Sequence, residues 1–361
     1  MYMPILKAMQ GDYRGVEATP QSIRDSFTPL FLVQNPKRAS EPDHLEAYLY
    51  EIGLELSQAR VRHRFYVDIP RFKQDWRVTG DRHPLLFLHE RIHSLEGNAV
   101  VVIGLERDDD AFVRAAEAAT NLNGNGLCIR VEKLDLDDPY HAHEQLESLI
   151  KMFSLTVGQI DILMDCGDLQ MQEISELRSR VLDFLSLVRN ARSFRSLTLA
   201  GTSIPHSFSK FQRFQAQFIP RLELALWSSI RNAGFDFLEF GDYGANNTRP
   251  IDREKKIANV LAKIRYSMPG SWLIVAGNVL KGHGGEQYHR LAGIVMDTPQ
   301  YRSADLRWAH IQIRQRAQKL IGPGSPADWV AIDTCNHIQF ICEQRTEDIA
   351  AMSELASSIQ A

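Results

Sequence analysis

The sequence predicts an α/β fold: a (β/α)8 TIM-like barrel followed by a C-terminal α+β subdomain. Eight short apolar runs rich in β-branched residues precede residue 245, helix-sized segments separate them, and this alternation ends after Asn247. Such alternation is typical of βαβ units, whose strands form a parallel sheet. The length of 361 residues accommodates a barrel of about 250 residues with an appendage.

The predicted strands are runs of five or six residues in which most side chains are apolar. They cover Met3–Lys7, Thr28–Val33, Arg64–Ile69, Ala99–Gly104, Gly126–Val131, Ile160–Asp165, Ser196–Ala200 and Phe237–Asp242. Helical spacing is clear in several of the intervening segments, for example where Leu45, Leu49, Ile52 and Leu56 fall on one face. Eight strands in one βα series favour a closed barrel, with an open doubly wound sheet as the alternative.

The chain beyond Asn247 has a different pattern and is predicted to form the appended subdomain. We expect a helix over 252–262, extended segments around 264–266 and 272–276, and a hairpin made of 329–333 and 338–343. A short helix is expected from Thr346 onward. The predicted domains are a βα barrel over 1–247 and an α+β extension over 248–361 that packs on it.

Composition and charge exclude several classes of protein. The formal charge of -4 leaves no overall basic field, so general nucleic-acid binding is not expected. The N-terminus does not have the charged start and long apolar run of a signal peptide, and no stretch approaches the ~20 apolar residues of a membrane span. We therefore expect a cytoplasmic protein that does not bind membranes and whose four cysteines are reduced core thiols.

Polar side chains stand at the ends of the predicted strands, where a βα barrel carries its functional site. In chain order they are Lys7, Asp68, Arg130, Asp165, Asp242 and Tyr243. Charged groups at the tips of apolar strands are costly to desolvate unless they face a polar cleft or one another, so their convergence predicts a site with shifted pKa values. The alternative is a set of salt bridges that close the barrel.

The residue types at the predicted mouth indicate separate roles. Asp165 and Asp242 are the candidates for acid/base or metal chemistry. Lys7 and Arg130 would hold an anionic group, phosphorylated or nucleotide-like, with Asp68 and Tyr243 beside them. The C-terminal subdomain would contribute Arg265, Tyr266, Lys281 and His337. Neither a P-loop nor a dinucleotide GxGxxG fingerprint occurs, so the sequence specifies no cofactor.

Two other patterns predict different functions. The run His89-Glu90-Arg91-Ile92-His93 formally matches the HExxH pattern of zinc sites, which would make the protein a metal-dependent hydrolase. This run falls on the helix expected after the third strand, on the outer ring of a barrel and away from its mouth. Four phenylalanines recur at helical spacing, which indicates a core stripe or the partner surface of a non-catalytic protein: Phe208, Phe211, Phe214 and Phe218.

Short motifs follow one another along nearly the whole chain. They are Tyr2–Lys7 with Gly11-Asp12, Gly241–Gly244, Ile264–Tyr266 with Trp272, Gly285 with Gln287-Tyr288, and Trp329 with Asn336–Ile338. In this order they resemble the beta protein family of phages and bacteria. The chain departs from the family pattern at two positions: Asp12 stands where a glutamate is expected, and Ile338 follows His337 where the family often has a second histidine.

The resemblance implies a biological setting. The family's namesake looks like part of a defence module of satellite phages, encoded beside the Gop protein and linked to restraint of its toxicity. By that analogy the chain would belong to an anti-phage or toxin-control system, with a toxin or defence partner encoded nearby. The sequence leaves open whether it binds a ligand at the barrel mouth, acts as a non-catalytic, antitoxin-like scaffold, or is a metal-dependent hydrolase.

Overall fold

The computed structural model describes residues 1–60, 63–105, 109–250, 260–301 and 307–359, with side chains through residue 344. Eight parallel strands close into a barrel in chain order. They are β1 (Tyr2–Lys7), β2 (Leu30–Leu32), β3 (Arg64–Asp68), β4 (Asn98–Gly104), β5 (Leu127–Glu132), β6 (Ile160–Asp168), β7 (Ser196–Thr202) and β9 (Glu239–Asp242). The predicted TIM-like barrel is confirmed, and the open sheet is wrong.

Helices follow the strands and cover the outside of the barrel. They are α1 (Gln10–Glu17), α2 (Pro42–Ala59), α3 (Pro84–Ser94), α4 (Asp110–Asn123), α5 (Pro139–Met152), α6 (Ile174–Leu187) and α7 (Leu222–Asn232). Helix α4 illustrates how local sequence determines the ends. The Asp109 carboxylate accepts a hydrogen bond from the Phe112 N–H at the start, and Gly124 ends the helix with a φ of 65°, because glycine adopts the left-handed region without a steric penalty.

A second, antiparallel sheet lies beside the barrel. Its strands are β8 (Ala216–Pro220), β10 (Leu261–Met268) and β11 (Ser271–Val279), and they pair in the order β10-β11-β8. The two predicted extended segments are thus confirmed, and β8 enters this sheet from the chain between β7 and α7. Most of the helix predicted over 252–262 lies outside the described residues, while Leu261 and Ala262 are in β10 rather than a helix.

Four further helices complete the described structure: α8 (Leu280–His283), α9 (Gln287–Met296), α10 (Trp308–Ala317) and α11 (Pro326–Ile359). The hairpin predicted over 329–343 is wrong, because this segment lies within α11. The residues from 331 to 342 are all buried, so the segment has no exposed face, and without one the contrast that normally identifies an amphipathic helix is missing. Among the described residues, no helix is long and apolar enough to cross a membrane.

The predicted helical stripe of phenylalanines is also wrong. Phe208 and Phe211 lie in an irregular loop, and Phe214 has a φ of 57°, which no helix contains. Phe218 belongs to β8 and is 54% exposed, whereas Phe208 is buried. Spacing of three and four residues therefore did not place these four side chains on one face.

Helix α11 joins the two parts of the molecule. Its first two turns supply Trp329 and Ile332 to the core beneath the second sheet, and the turns that follow supply Ile338 and Ile341 to the core around the barrel. It also packs closely against α1. Two glycines allow this approach, because a Cβ on Gly11 would lie 2.7 Å from the Val330 Cβ, and one on Gly15 would lie 2.8 Å from the Thr334 Cβ.

Replacement of Gly11 by alanine should therefore destabilise the protein, by about 1–3 kcal/mol from overpacking. Gly293 is a matched control, since it lies inside α9 and a Cβ added there would meet no atom within 4 Å. Gly293→Ala should raise the free energy of unfolding by about 0.5–1 kcal/mol through helix propensity. Urea unfolding of both variants tests the contact, and equal effects of the two substitutions would refute it.

Candidate functional site

Strand alternation places four of the predicted side chains inside the barrel at its C-terminal end. Successive residues of a strand point to opposite faces, so every second residue shares a face. The barrel interior contains Ile5, Tyr66, Cys128 and Leu163. Two residues further along the same strands stand Lys7, Asp68, Arg130 and Asp165, which therefore face the interior at the mouth.

Arg130 is the centre of a buried polar network. Its Nη1 donates to Asp68 at 2.7 Å, its Nε donates to Asp165 at 3.0 Å, and its Nη2 bonds to Asp165 and to the Tyr243 hydroxyl. Tyr243 in turn donates to Asp165 at 2.6 Å. Burial disfavours the guanidinium charge, but Asp165, Tyr243 and Asp68 outweigh it and raise the pKa of Arg130. Arg130 therefore stays charged, and both aspartates are committed to it.

A cavity of about 520 Å³ opens above this network. Among the residues that the structure describes, five cationic ones line it, namely Lys7, Arg71, Arg130, Lys133 and Arg249. The carboxylates among the described lining residues are Glu132 and Asp165, and both form ion pairs with Arg130, at 3.6 Å for Glu132. Four cations thus remain without an ion pair within the described part of the chain. The cavity is a positively charged concavity, which attracts anions.

Lys7 lies at the base of this cavity. Burial lowers the pKa of Lys7 to about 8; the nearby Asp12 opposes this shift, while Arg265 and Arg71 add to it. Burial likewise raises the pKa of Asp12 to about 7, against the effect of Lys7. Asp12 is held by the side chains of Asn246 at 3.1 Å and Thr334 at 3.3 Å. An anion beside Lys7 would favour its charged form.

A smaller cavity of about 200 Å³ shares Lys7 with the first one. It lies between the barrel and the second sheet, where Lys263 and Arg265 of β10 reach it together with Asn246. Arg265 is anchored, since its Nε donates to Asp333 at 2.8 Å and its Nη1 to Asn246 at 3.4 Å. Arg265 therefore lies beside Lys7 in the smaller cavity and does not line the cavity at the mouth.

Asp242 and His337 come together elsewhere, on the outside of the barrel beneath α11. The His337 Nε2 lies 2.7 Å from Asp242, and its Nδ1 lies 2.7 Å from the Ser267 hydroxyl. Arg221 and Tyr2 also contact Asp242, at 3.4 and 2.6 Å. Burial alone would raise the pKa of Asp242, but His337 and Arg221 outweigh it and lower the pKa. The carboxylate is therefore ionised in the folded protein.

The hydrogen-bonded series Ser267, His337 and Asp242 resembles a catalytic triad, but these residues are buried in the protein core. The three residues are 2%, 0% and 1% exposed, and the Trp272 ring stacks on His337 at 4.4 Å. None of the three lines either cavity. A nucleophile must reach a substrate, so this geometry supports a polar link between β9, β10 and α11 rather than hydrolysis.

The remaining predicted residues lie apart from the mouth. Tyr266 is buried in the second core, where its hydroxyl lies 3.1 Å from His310. Lys281 is exposed on α8 and lines neither cavity. His89 is buried against Asn123 at 3.0 Å, and His93 on the same helix is exposed. Among the described residues, no group of three or more histidine, cysteine or acidic side chains is placed to hold a metal ion.

Four lysine and arginine residues that line the two cavities were not predicted: Arg71, Lys133, Arg249 and Lys263. Arg71 and Lys133 follow β3 and β5 within three residues, so a search of the loops after each strand, and not only of the strand ends, would have included them. Arg249 lies further along the segment that follows β9. The position of Lys263 could not be predicted in this way, because its strand, β10, belongs to the second sheet and not to the barrel.

The fold and the cleft define the class of protein: a βα barrel with a cationic cavity at the C-terminal ends of its strands. The chain belongs to the Beta protein family, whose sequence model matches residues 2–343. It is similar to Protein beta of Enterobacteria phage P4, with 24% identity over 226 residues, which is 62% of this chain and 59% of that protein. The resemblance seen in the short motifs is thereby confirmed.

A solved structure with some similarity is that of a mandelate racemase/muconate lactonizing protein from Herpetosiphon aurantiacus. The identity is 12%, the alignment covers 77% of this chain and 63% of the other, and the TM-score is 0.37. The matched region thus spans less than two thirds of the length of either relative. The assignment of the barrel rests on the strand pairing described above.

The burial of Asp242 predicts that replacing it with asparagine will destabilise the protein. The substitution would leave Arg221 and His337 facing a neutral group, and removing one partner of a buried ion pair costs about 3–5 kcal/mol. The free energy of unfolding in urea measures the loss. Asp168→Asn is a control at a partly exposed carboxylate of the neighbouring strand β6. An unchanged stability of Asp242→Asn would show that Asp242 is not part of the structural link.

Proposed function

We propose that the protein binds an anionic small molecule, phosphorylated or nucleotide-like, in the cavity at the barrel mouth. The observation that supports this most is the charge imbalance of the cavity. Its carboxylates already neutralise Arg130, whereas Lys7, Arg71, Lys133 and Arg249 have no ion-pair partner among the described residues. Clustered like charges repel one another, and an anion that binds among them relieves the repulsion.

The dimensions of the cavity agree with this proposal. Its volume of about 520 Å³ falls within the roughly 300–1,000 Å³ typical of small-molecule sites. Leu134 at the rim is 79% exposed and lines the same cavity, so an apolar portion of the ligand, such as a base, has a surface to contact. Arginine and lysine side chains are suited to bind phosphate oxygens.

Binding is better supported than hydrolysis. Asp165, the candidate acid or base at the mouth, accepts hydrogen bonds from Arg130, Tyr243 and the Gly167 N–H at 3.0 Å. A carboxylate that is already fully bonded is a poor proton acceptor. Asp242, the second candidate, lies outside the cavity. We therefore propose that Asp165 orients Arg130, and that the ligand contacts the cations.

We propose further that ligand binding serves an anti-phage or toxin-control system in the cytoplasm. The support is family membership and the similarity to a phage P4 protein, together with the free, buried state of all four cysteines, which suits a reducing compartment. In this proposal a toxin or defence protein encoded nearby is the partner. The ligand would report the state of the cell to it.

Binding can be measured by isothermal titration calorimetry and thermal shift with nucleotides, sugar phosphates and inorganic phosphate. We expect at least one of them to raise the melting temperature by mass action. Lys7→Met should weaken its affinity about tenfold or more, because hydrogen bonds to charged groups contribute about 1.5–3 kcal/mol. Lys281→Met is the matched control and should bind normally. No binding by any phosphorylated compound, or equal losses in the two variants, would contradict the proposal.

Affinity should also depend on pH. Because the pKa of Lys7 lies at about 8, this lysine is protonated below that value and loses its charge above it, so anion binding should weaken as the pH rises through about 8. Bound anion would move this midpoint upward. The measurement is the dissociation constant between about pH 6.5 and 9.5, a window around that pKa, for the wild type and Lys7→Met. A persistent transition in the variant would assign the titration to another group.

A further inference from the structure

The smaller cavity beside Lys7 has features of a second anion subsite. Its lining includes the cations Lys7, Lys263 and Arg265, and no carboxylate among the described lining residues. The aromatic residues of its wall are Phe208, Tyr288 and Trp329. A volume of about 200 Å³ is below the range typical of whole small molecules, but it can receive a single charged group.

Lys263, like Lys7, is a cation of this cavity that forms no ion pair with a described carboxylate. Its Nζ lies 5.3 Å from the centre of the Phe208 ring, and it forms no ion pair within the described ranges. Burial lowers the pKa of Lys263 to about 8, Arg265 adds to this effect, and Asp333 opposes it. Arg265 differs, because Asp333 already neutralises it. An incoming anion would therefore gain more from Lys263 than from Arg265.

Lys7 connects the two cavities. It lines both of them, its charge contributes to the lowered pKa of Lys263, and Arg265 lowers the pKa of both lysines. Two half-buried lysines in one another's field are unfavourable unless anions lie between or beside them. One anionic group at the mouth would leave Lys263 without an ion-pair partner among the described residues. A second group in the smaller cavity would compensate it.

We infer that the ligand carries two separated phosphoryl groups, one in the mouth cavity and one in the smaller cavity, with Lys7 placed between them. This inference rests on the proposed function and specifies its ligand class. A nucleoside bisphosphate and a sugar bisphosphate share this chemistry. Lys263 selects bisphosphorylated over monophosphorylated compounds, because a monophosphate occupies only the mouth.

The experiment compares matched pairs of ligands by isothermal titration calorimetry: adenosine 5′-monophosphate with adenosine 3′,5′-bisphosphate, and fructose 6-phosphate with fructose 1,6-bisphosphate. In the wild type we expect the bisphosphate of at least one pair to bind about tenfold tighter or more. The pair that shows the advantage distinguishes a nucleotide from a sugar. Lys263→Met should remove the advantage without weakening the monophosphate, whereas Lys263→Arg and Lys281→Met should keep it.

Different results would overturn the inference or the proposed function. Equal affinity for both members of each pair in the wild type overturns the inference alone and leaves single-anion binding in place. An equal loss for mono- and bisphosphates in Lys263→Met also overturns it, since one phosphoryl group would then lie at Lys263. If no phosphorylated compound binds, both proposals fail together. The wild-type comparison stands even if Lys263→Met does not fold.

Discussion

The pairing of Arg130 with two carboxylates inside the barrel determines much of the structure at the mouth. Arg130 is only 4% exposed, so its guanidinium requires nearby negative charge, and Asp68 on β3 and Asp165 on β6 supply it from strands on either side. Removing one partner would leave a buried charge, at a cost of about 3–5 kcal/mol. Because these carboxylates pair with Arg130, they do not neutralise the cations of the surrounding loops. Those cations make the cavity positively charged.

The position of most mouth residues could be predicted from the sequence. Parallel strands of a barrel end at one rim, so Lys7, Asp68, Arg130, Asp165 and Tyr243 had to meet once the strands were recognised. The position of Asp242 could not be predicted from the strand end alone, although that of its neighbour Tyr243 could. Adjacent residues of a strand face opposite sides, and Phe240 packs in the outer core, so alternation places Asp242 outside and Tyr243 inside. The end of a strand shows only that a residue lies at the rim of the barrel. The alternation of side chains along the strand shows whether it faces the inside or the outside.

The second half of the chain was less predictable because its elements depend on tertiary contacts. Helix α11 is buried on all sides over 331–342, which hides the period that normally identifies a helix. The partnership of Ser267, His337 and Asp242 joins three elements that are distant in sequence, and no local pattern encodes it. Arg71 and Arg249 lie in loops, where periodicity gives no information, and only the closed barrel shows that they share a cavity.

Strand β8 has a consequence for how this architecture can be inherited. The sheet of β8, β10 and β11 takes one strand from the chain between β7 and α7 and two from beyond β9. An ancestor with a simple barrel could not acquire this sheet by fusion at its C-terminus alone, because the strand that pairs with β11 must be inserted inside the barrel sequence. Relatives are therefore expected to keep or lose both segments as a unit, and shortened members should show paired deletions.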